Sequence, residues 1–104
     1  MKEMVVSKQI SVNEKRLLEL CRQYHVASLK IFGSMARGEG RIDSDIDILV
    51  SFTRPISLIR LVRLERELSQ LMGRKVDLVT EQGLSPYIRP TVLASAREIY
   101  ELPR

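Results

Sequence analysis

The chain has one cysteine, Cys21, one histidine, His25, no tryptophan, and only two phenylalanines and three tyrosines among 104 residues. A lone cysteine excludes an internal disulfide, and with only His25 nearby it excludes a structural zinc site. So few aromatics argue against the base-stacking platforms of single-strand nucleic-acid binders. No apolar run approaches the roughly 18 residues of a membrane-spanning helix, and no signal-peptide pattern opens the chain. A cytoplasmic protein without membrane contact is expected. The five glycines form neither the G-x-G-x-x-G dinucleotide fingerprint nor the G-x-x-x-x-G-K-S/T phosphate loop. The length fits one domain, residues 1–104, with little left over for a separate substrate module. Net charge is +4, mostly from arginine and spread along the chain. It permits an acidic protein partner, or direct contact with nucleic acid without favouring it.

What is present is a compound signal. The run Ile31-Phe32-Gly33-Ser34-Met35-Ala36-Arg37-Gly38 is followed by Ser44-Asp45-Ile46-Asp47-Ile48-Leu49-Val50. On a strand, residues i and i+2 share a face. Asp45 and Asp47 therefore point one way, and Ile46, Ile48 and Val50 point into a core. No lysine occupies an obvious pairing position, so a divalent cation is the simplest reason for two adjacent carboxylates. Gly33-Ser34 supplies small groups that a phosphate can approach closely. Lys75-Val76-Asp77-Leu78-Val79 repeats the pattern, with acid on one side and branched apolar residues on the other. Three converging acids would suit a two-magnesium nucleotidyl-transfer site. Asp45 and Asp47 would hold the ions, and Asp77 would bind the second ion and assist the attacking hydroxyl. Asp43 reads as a solvated loop residue.

Ser11-Val12-Asn13-Glu14 reads as a capping box opening a helix over about residues 12–24. Cys21 would lie on its apolar face, and His25 near its C-terminus in a capping or surface role. Strands are expected over 28–32, 45–52 and 76–80. Ser34 would cap a short helical turn through Arg37. A helix over 57–72 would bury Leu58, Leu61, Val62, Leu68 and Met72 and end at Gly73. Ser85-Pro86 would start a helix reaching about Ala94, which Pro90 shortens or distorts. Residues 97–102 could form an edge strand or a helical turn. Helices alternating with strands predict a small two-layer α/β fold with a mixed sheet.

These motifs closely resemble the minimal nucleotidyltransferases of the DNA polymerase beta superfamily. The family pattern is Gly-Ser-x-Ala-Arg-Gly, then Ser-Asp-x-Asp-hydrophobic, then a hydrophobic-Asp strand. The resemblance covers about Val12 to Tyr100, and no core motif residue departs from it. It implies ATP as substrate, Mg2+ bound by Asp45, Asp47 and Asp77, and Gly33 and Ser34 on the terminal phosphates. Arg37 could reach phosphate or brace the loop. Ser44 could contact the ligand or only cap the loop.

Members this small resemble antitoxin-like partners of helical HEPN ribonucleases. The resemblance implies AMP transfer from ATP to a tyrosine hydroxyl on that toxin, within an oligomeric complex. The partner would then supply the acceptor that this chain has no domain to bind. Two alternatives stand beside this reading. One is a non-catalytic antitoxin that masks the toxin by contact, through apolar residues such as Leu84, Tyr87, Ile88 and Leu93. The other is a nucleotidyltransferase acting on a small alcohol or an RNA end. Arg60, Arg63 and Arg66 read as a solvated helix face or a surface for an acidic partner or RNA.

Overall fold

A computed structural model of the chain describes residues 3–7, 10–33 and 45–103. Strands β1 (Glu3–Ser7) and β2 (Ile10–Asn13) form an antiparallel pair. Helix α1 (Glu14–Gln23) leads into β3 (Val26–Phe32). Then come β4 (Ile46–Phe52), α2 (Leu58–Met72), β5 (Val76–Val79), α3 (Arg89–Ser95) and β6 (Arg97–Glu101). The main sheet has the order β5-β4-β3-β6. Strand β3 is antiparallel to β4 and β6, and β4 is parallel to β5. The sheet is mixed, as the alternation of elements predicts. Its one parallel pair is joined by α2, the crossover that parallel strands require.

Alternation along the strands sets the layers. Leu29, Ile31, Ile46, Ile48, Val50 and Val76 are buried on one face against Leu17, Leu20 and Cys21 of α1 and Leu64, Leu68 and Met72 of α2. Ile10 and Val12 of β2 join the same core. Leu49 and Leu84 are also buried but lie outside this cluster.

Four local expectations need correction. Residues 11–13 belong to a strand, because Ile10 and Val12 are buried in alternation while β2 pairs with β1. The cap of α1 is Asn13, whose Oδ1 accepts from the Arg16 N–H at 3.2 Å. In α2 the buried stripe runs through Leu64, Leu68 and Met72, whereas Leu58 and Val62 are exposed, at 74% and 47%. Helix α3 starts later than expected. Ser85 initiates a turn, its carbonyl accepting from Ile88 and Arg89, and Pro90 takes the first helical turn. Residues 97–101 are an edge strand.

The C-terminal end of α2 follows the reading from sequence, with Gly73 closing the helix at φ 68°. At the other end Ser57 is the cap and accepts from the Arg60 N–H. Cys21 is buried. His25 occupies the left-handed region at φ 57°, and its carbonyl accepts from Thr53, which ties the α1–β3 turn to the end of β4.

Candidate active site

The acids gather where β4 and β5 begin and β3 ends. Asp47 is the register partner of Asp77 across the parallel β4–β5 ladder. Neighbouring strands lie about 4.8 Å apart, so partnered side chains on one face are immediate neighbours. The flanking pairs Ile46–Val76 and Ile48–Leu78 turn to the helix-covered face, which leaves Asp47 and Asp77 together on the opposite one. On the other side of Asp47 its register partner is Phe32, the last residue of β3.

Gly33 follows Phe32 at φ 76°. A Cβ built there would stand 2.7 Å from Oδ2 of Asp47. The turn thus needs glycine for its backbone conformation, and the Asp47 carboxylate occupies the space that a side chain would fill. Burial pushes the Asp47 carboxyl above its ordinary range, and the charges of Asp77 and then Asp45 push it the same way.

Asp45 sits just before β4 and is half exposed, with its Oδ2 3.8 Å from Nζ of Lys75. The expectation that no lysine pairs with these acids is therefore corrected. Lys75 lies 30 positions away in sequence and arrives beside Asp45 through the parallel register. An exposed pair of this kind is typically worth about 0–1 kcal/mol, too little to fix Asp45 in one arrangement.

Among the described residues, no three His, Cys, Asp or Glu side chains close round a point as a ready-made metal cage. The three acids converge on one end of the sheet, with Asp47 and Asp77 forming the facing pair. Ser34, Arg37 and Ser44, together with the expected helical turn after Gly33, lie outside the described residues.

The backbone that carries Asp77 is held from both sides. Its neighbours Val76 and Leu78 donate their N–H groups to Ser69 Oγ and Glu65 Oε2 of α2, at 2.9 and 2.8 Å. The sequence reading missed both helix residues. Their i,i+4 spacing on α2 was visible, but nothing linked it to β5. A groove of about 520 Å³ lies at the opposite end of β4 and β5, lined by residues such as Phe52, Arg54, Ile56 and Gln82. It contains none of the acids. Among the described residues no helix is long and apolar enough to cross a membrane.

Comparison with known proteins identifies the family. Residues 14–99 match the nucleotidyltransferase domain family. The protein adenylyltransferase MntA of Thermococcus cleftensis is 44% identical over 75 residues, covering 72% of this chain and 76% of that protein. A solved structure provisionally identified as a minimal nucleotidyltransferase superposes with a TM-score of 0.68 at 40% identity, covering 86% of this chain and 87% of that one. A toxin–antitoxin complex crystallised with AMP-PNP contains a chain similar at TM-score 0.70 and 25% identity, covering 88% of this chain and 75% of that one. The chain belongs to the nucleotidyltransferase domain family, as one of its minimal nucleotidyltransferases.

Proposed function

We propose that this chain is a magnesium-dependent protein adenylyltransferase that silences a cognate HEPN ribonuclease toxin by moving AMP from ATP to one of its tyrosine hydroxyls. The observation that carries the reading is the Asp47–Asp77 pair beside Gly33. The name of the Thermococcus relative and the nucleotide analogue in the toxin–antitoxin complex support it.

The donor set fits the metal. Asp45, Asp47 and Asp77 offer the hard oxygen ligands that Mg2+ takes, and Asp47 and Asp77 stand as register partners at the same end of the sheet. When bound, Mg2+ neutralises phosphate charge and polarises the α-phosphate. The remaining roles fall to the chain. Gly33 lets the turn approach the terminal phosphates without a side chain in the way, and Ser34 and Arg37 follow it as phosphate contacts, with Ser44 before the acids. Asp77 faces the incoming tyrosine hydroxyl and helps remove its proton. The tyrosine oxygen bonds to the α-phosphorus, the bond from that phosphorus to the bridging oxygen breaks, and pyrophosphate leaves with the electron pair. The proton passes to solvent by way of Asp77. The partner brings the acceptor hydroxyl, and the reaction is placed in the cytoplasm as part of this proposal.

The test incubates the purified chain with a candidate HEPN protein from an adjacent reading frame, MgATP and no other factor, and reads that protein's intact mass. The expected result is a gain of whole AMP units, placed on tyrosine by fragmentation and lost with Asp77→Asn. Ribonuclease inhibition with no mass change, indifferent to Asp77→Asn, would establish the binding-only antitoxin instead.

A further inference from the structure

Strand β5 is a sheet edge, and an edge strand normally presents unpaired N–H groups to its surroundings. Here α2 takes them. In the parallel ladder the backbone of Asp77 faces β4, while the N–H groups of Val76 and Leu78 face away from it. Ser69 Oγ accepts from Val76 at 2.9 Å, and Glu65 Oε2 accepts from Leu78 at 2.8 Å. Ser69 Oγ also donates to the Glu65 carbonyl at 2.8 Å, so the hydroxyl is fixed in the orientation that leaves a lone pair for Val76. Both acceptors are half-buried. The two bonds straddle Asp77.

We propose that Glu65 and Ser69 are positioning residues for Asp77: they clamp β5 to α2 on either side of it and hold its carboxylate opposite Asp47. Strand β5 has only four residues. Its ladder to β4 on one side and the clamp on the other restrain its tilt and slip, together with the packing of Val76 into the core. A tilt of β5 would move Asp77 relative to Asp47 and leave Gly33 in place, while Asp45 would feel it only through Lys75, by the 3.8 Å pair and the Ile46 N–H bond to the Lys75 carbonyl. The clamp therefore acts on the geometry of the acid pair more than on nucleotide capture. This rests on the adenylyltransferase reading for its kinetic consequence, but not for its structural one.

The test compares Glu65→Ala, Glu65→Gln and the milder Ser69→Ala with the parent. Three quantities are read: amide exchange at Val76 and Leu78, Mn2+ affinity of the chain alone by electron paramagnetic resonance, and the kcat and KM of AMP transfer. Losing a group that orients a ligand typically costs about 10–100-fold in metal affinity or activity. Glu65→Ala should weaken Mn2+ and lower kcat by about 10-fold while the KM for ATP stays within about twofold. Exchange at Leu78 should rise, and in Ser69→Ala exchange at Val76 should rise instead. Glu65→Gln keeps a carbonyl acceptor and should recover most of each loss.

A fall in thermal stability with Mn2+ affinity and kcat per folded molecule unchanged would overturn the proposal and leave Glu65 a mere edge cover. If Glu65→Ala does not fold, Ser69→Ala and Glu65→Gln decide the same question. A parent that transfers no AMP but loses Mn2+ on Glu65→Ala would sink the functional reading and sustain the clamp. A parent that transfers AMP as fast as every variant would do the reverse.

Discussion

Asp47 carries the conflict at this site. Burial and two neighbouring carboxylates oppose its ionisation in the folded chain, whereas an unfolded chain would ionise it at its ordinary value. A carboxyl raised by folding binds its proton more tightly in the native state, so its contribution to stability is complete at low pH. It is lost as pH climbs from the ordinary aspartate range through the raised one. Without divalent cations, Asp47→Asn should therefore raise the melting temperature at neutral pH and leave it nearly unchanged in strong acid. The same change should abolish AMP transfer. A melting temperature that falls at pH 7 would show that the charge is already compensated. Gly33 makes the complementary case. Gly33→Ala places a Cβ in a left-handed turn, 2.7 Å from Asp47 Oδ2. The backbone conformation alone should cost roughly 1–2 kcal/mol. Displacement of the carboxylate should weaken MgATP beyond that, and calorimetry on the folded variant checks it. Unchanged affinity would mean that the phosphates lie away from this turn.

At the scale of elements, α1 and α2 are joined by side chains remote from the acids. Tyr24 donates its hydroxyl to Glu67 Oε2 at 2.6 Å, and Arg16 approaches the other oxygen at 3.6 Å. The Arg60 guanidinium stacks 4.8 Å from the Tyr24 ring centre and donates to the Gln23 carbonyl at 3.0 Å. Tyr24→Phe should cost about 1–2 kcal/mol, because the lost bond has a charged acceptor in a half-buried place. The melting point should drop by about 4–8 °C per kcal/mol in a domain of this size. Tyr24 precedes the start of β3 and Gly33 follows its end, a separation of about 20 Å along the strand, so transfer should survive. Loss of activity in folded Tyr24→Phe would mean that this clasp couples to the site.

The elements also show what a sequence can reveal. Strands β4 and β5 were legible because Ile46-Asp47-Ile48 and Val76-Asp77-Leu78 sort acid from core residue by residue. The C-terminal end of α2 was legible from Gly73, whereas Ser57, read as the first helical residue, is its cap. Strand β2 was not, because Ser11 and Glu14 mimic a capping box while the competing alternation of Ile10 and Val12 spans only one step. The Lys75–Asp45 pair and the Glu65–Ser69 clamp depend on the register of β4 with β5 and on where α2 crosses. Local pattern does not encode either of these. The exposed Leu58 and Val62 broke the periodic reading of α2, since helical spacing alone does not say which of two apolar stripes meets the sheet.

At the scale of the whole molecule, Cys21 offers a reporter at the centre of the fold. It is 2% exposed among Leu17, Leu20 and the sheet, and burial pushes its thiol up to about 12. The thiolate, not the thiol, attacks labelling reagents, so native Cys21 is protected both sterically and chemically. At neutral pH it should label only through molecules that have opened their core, at a rate that follows the open population and rises with urea. A ligand that binds only the folded state lowers that population by the factor 1 + [L]/Kd. MgATP at 100 times its Kd should therefore slow Cys21 labelling by about 100-fold, equivalent to about 2.7 kcal/mol. Asp45→Asn with Asp47→Asn should lose most of this protection even if its own stability rises, because the repulsion and the metal ligands disappear together. Protection by ATP that is equal with and without Mg2+, or equal in the double variant, would detach nucleotide binding from the acids. Rapid labelling of a chain with native circular dichroism would show that the core around α1 opens locally.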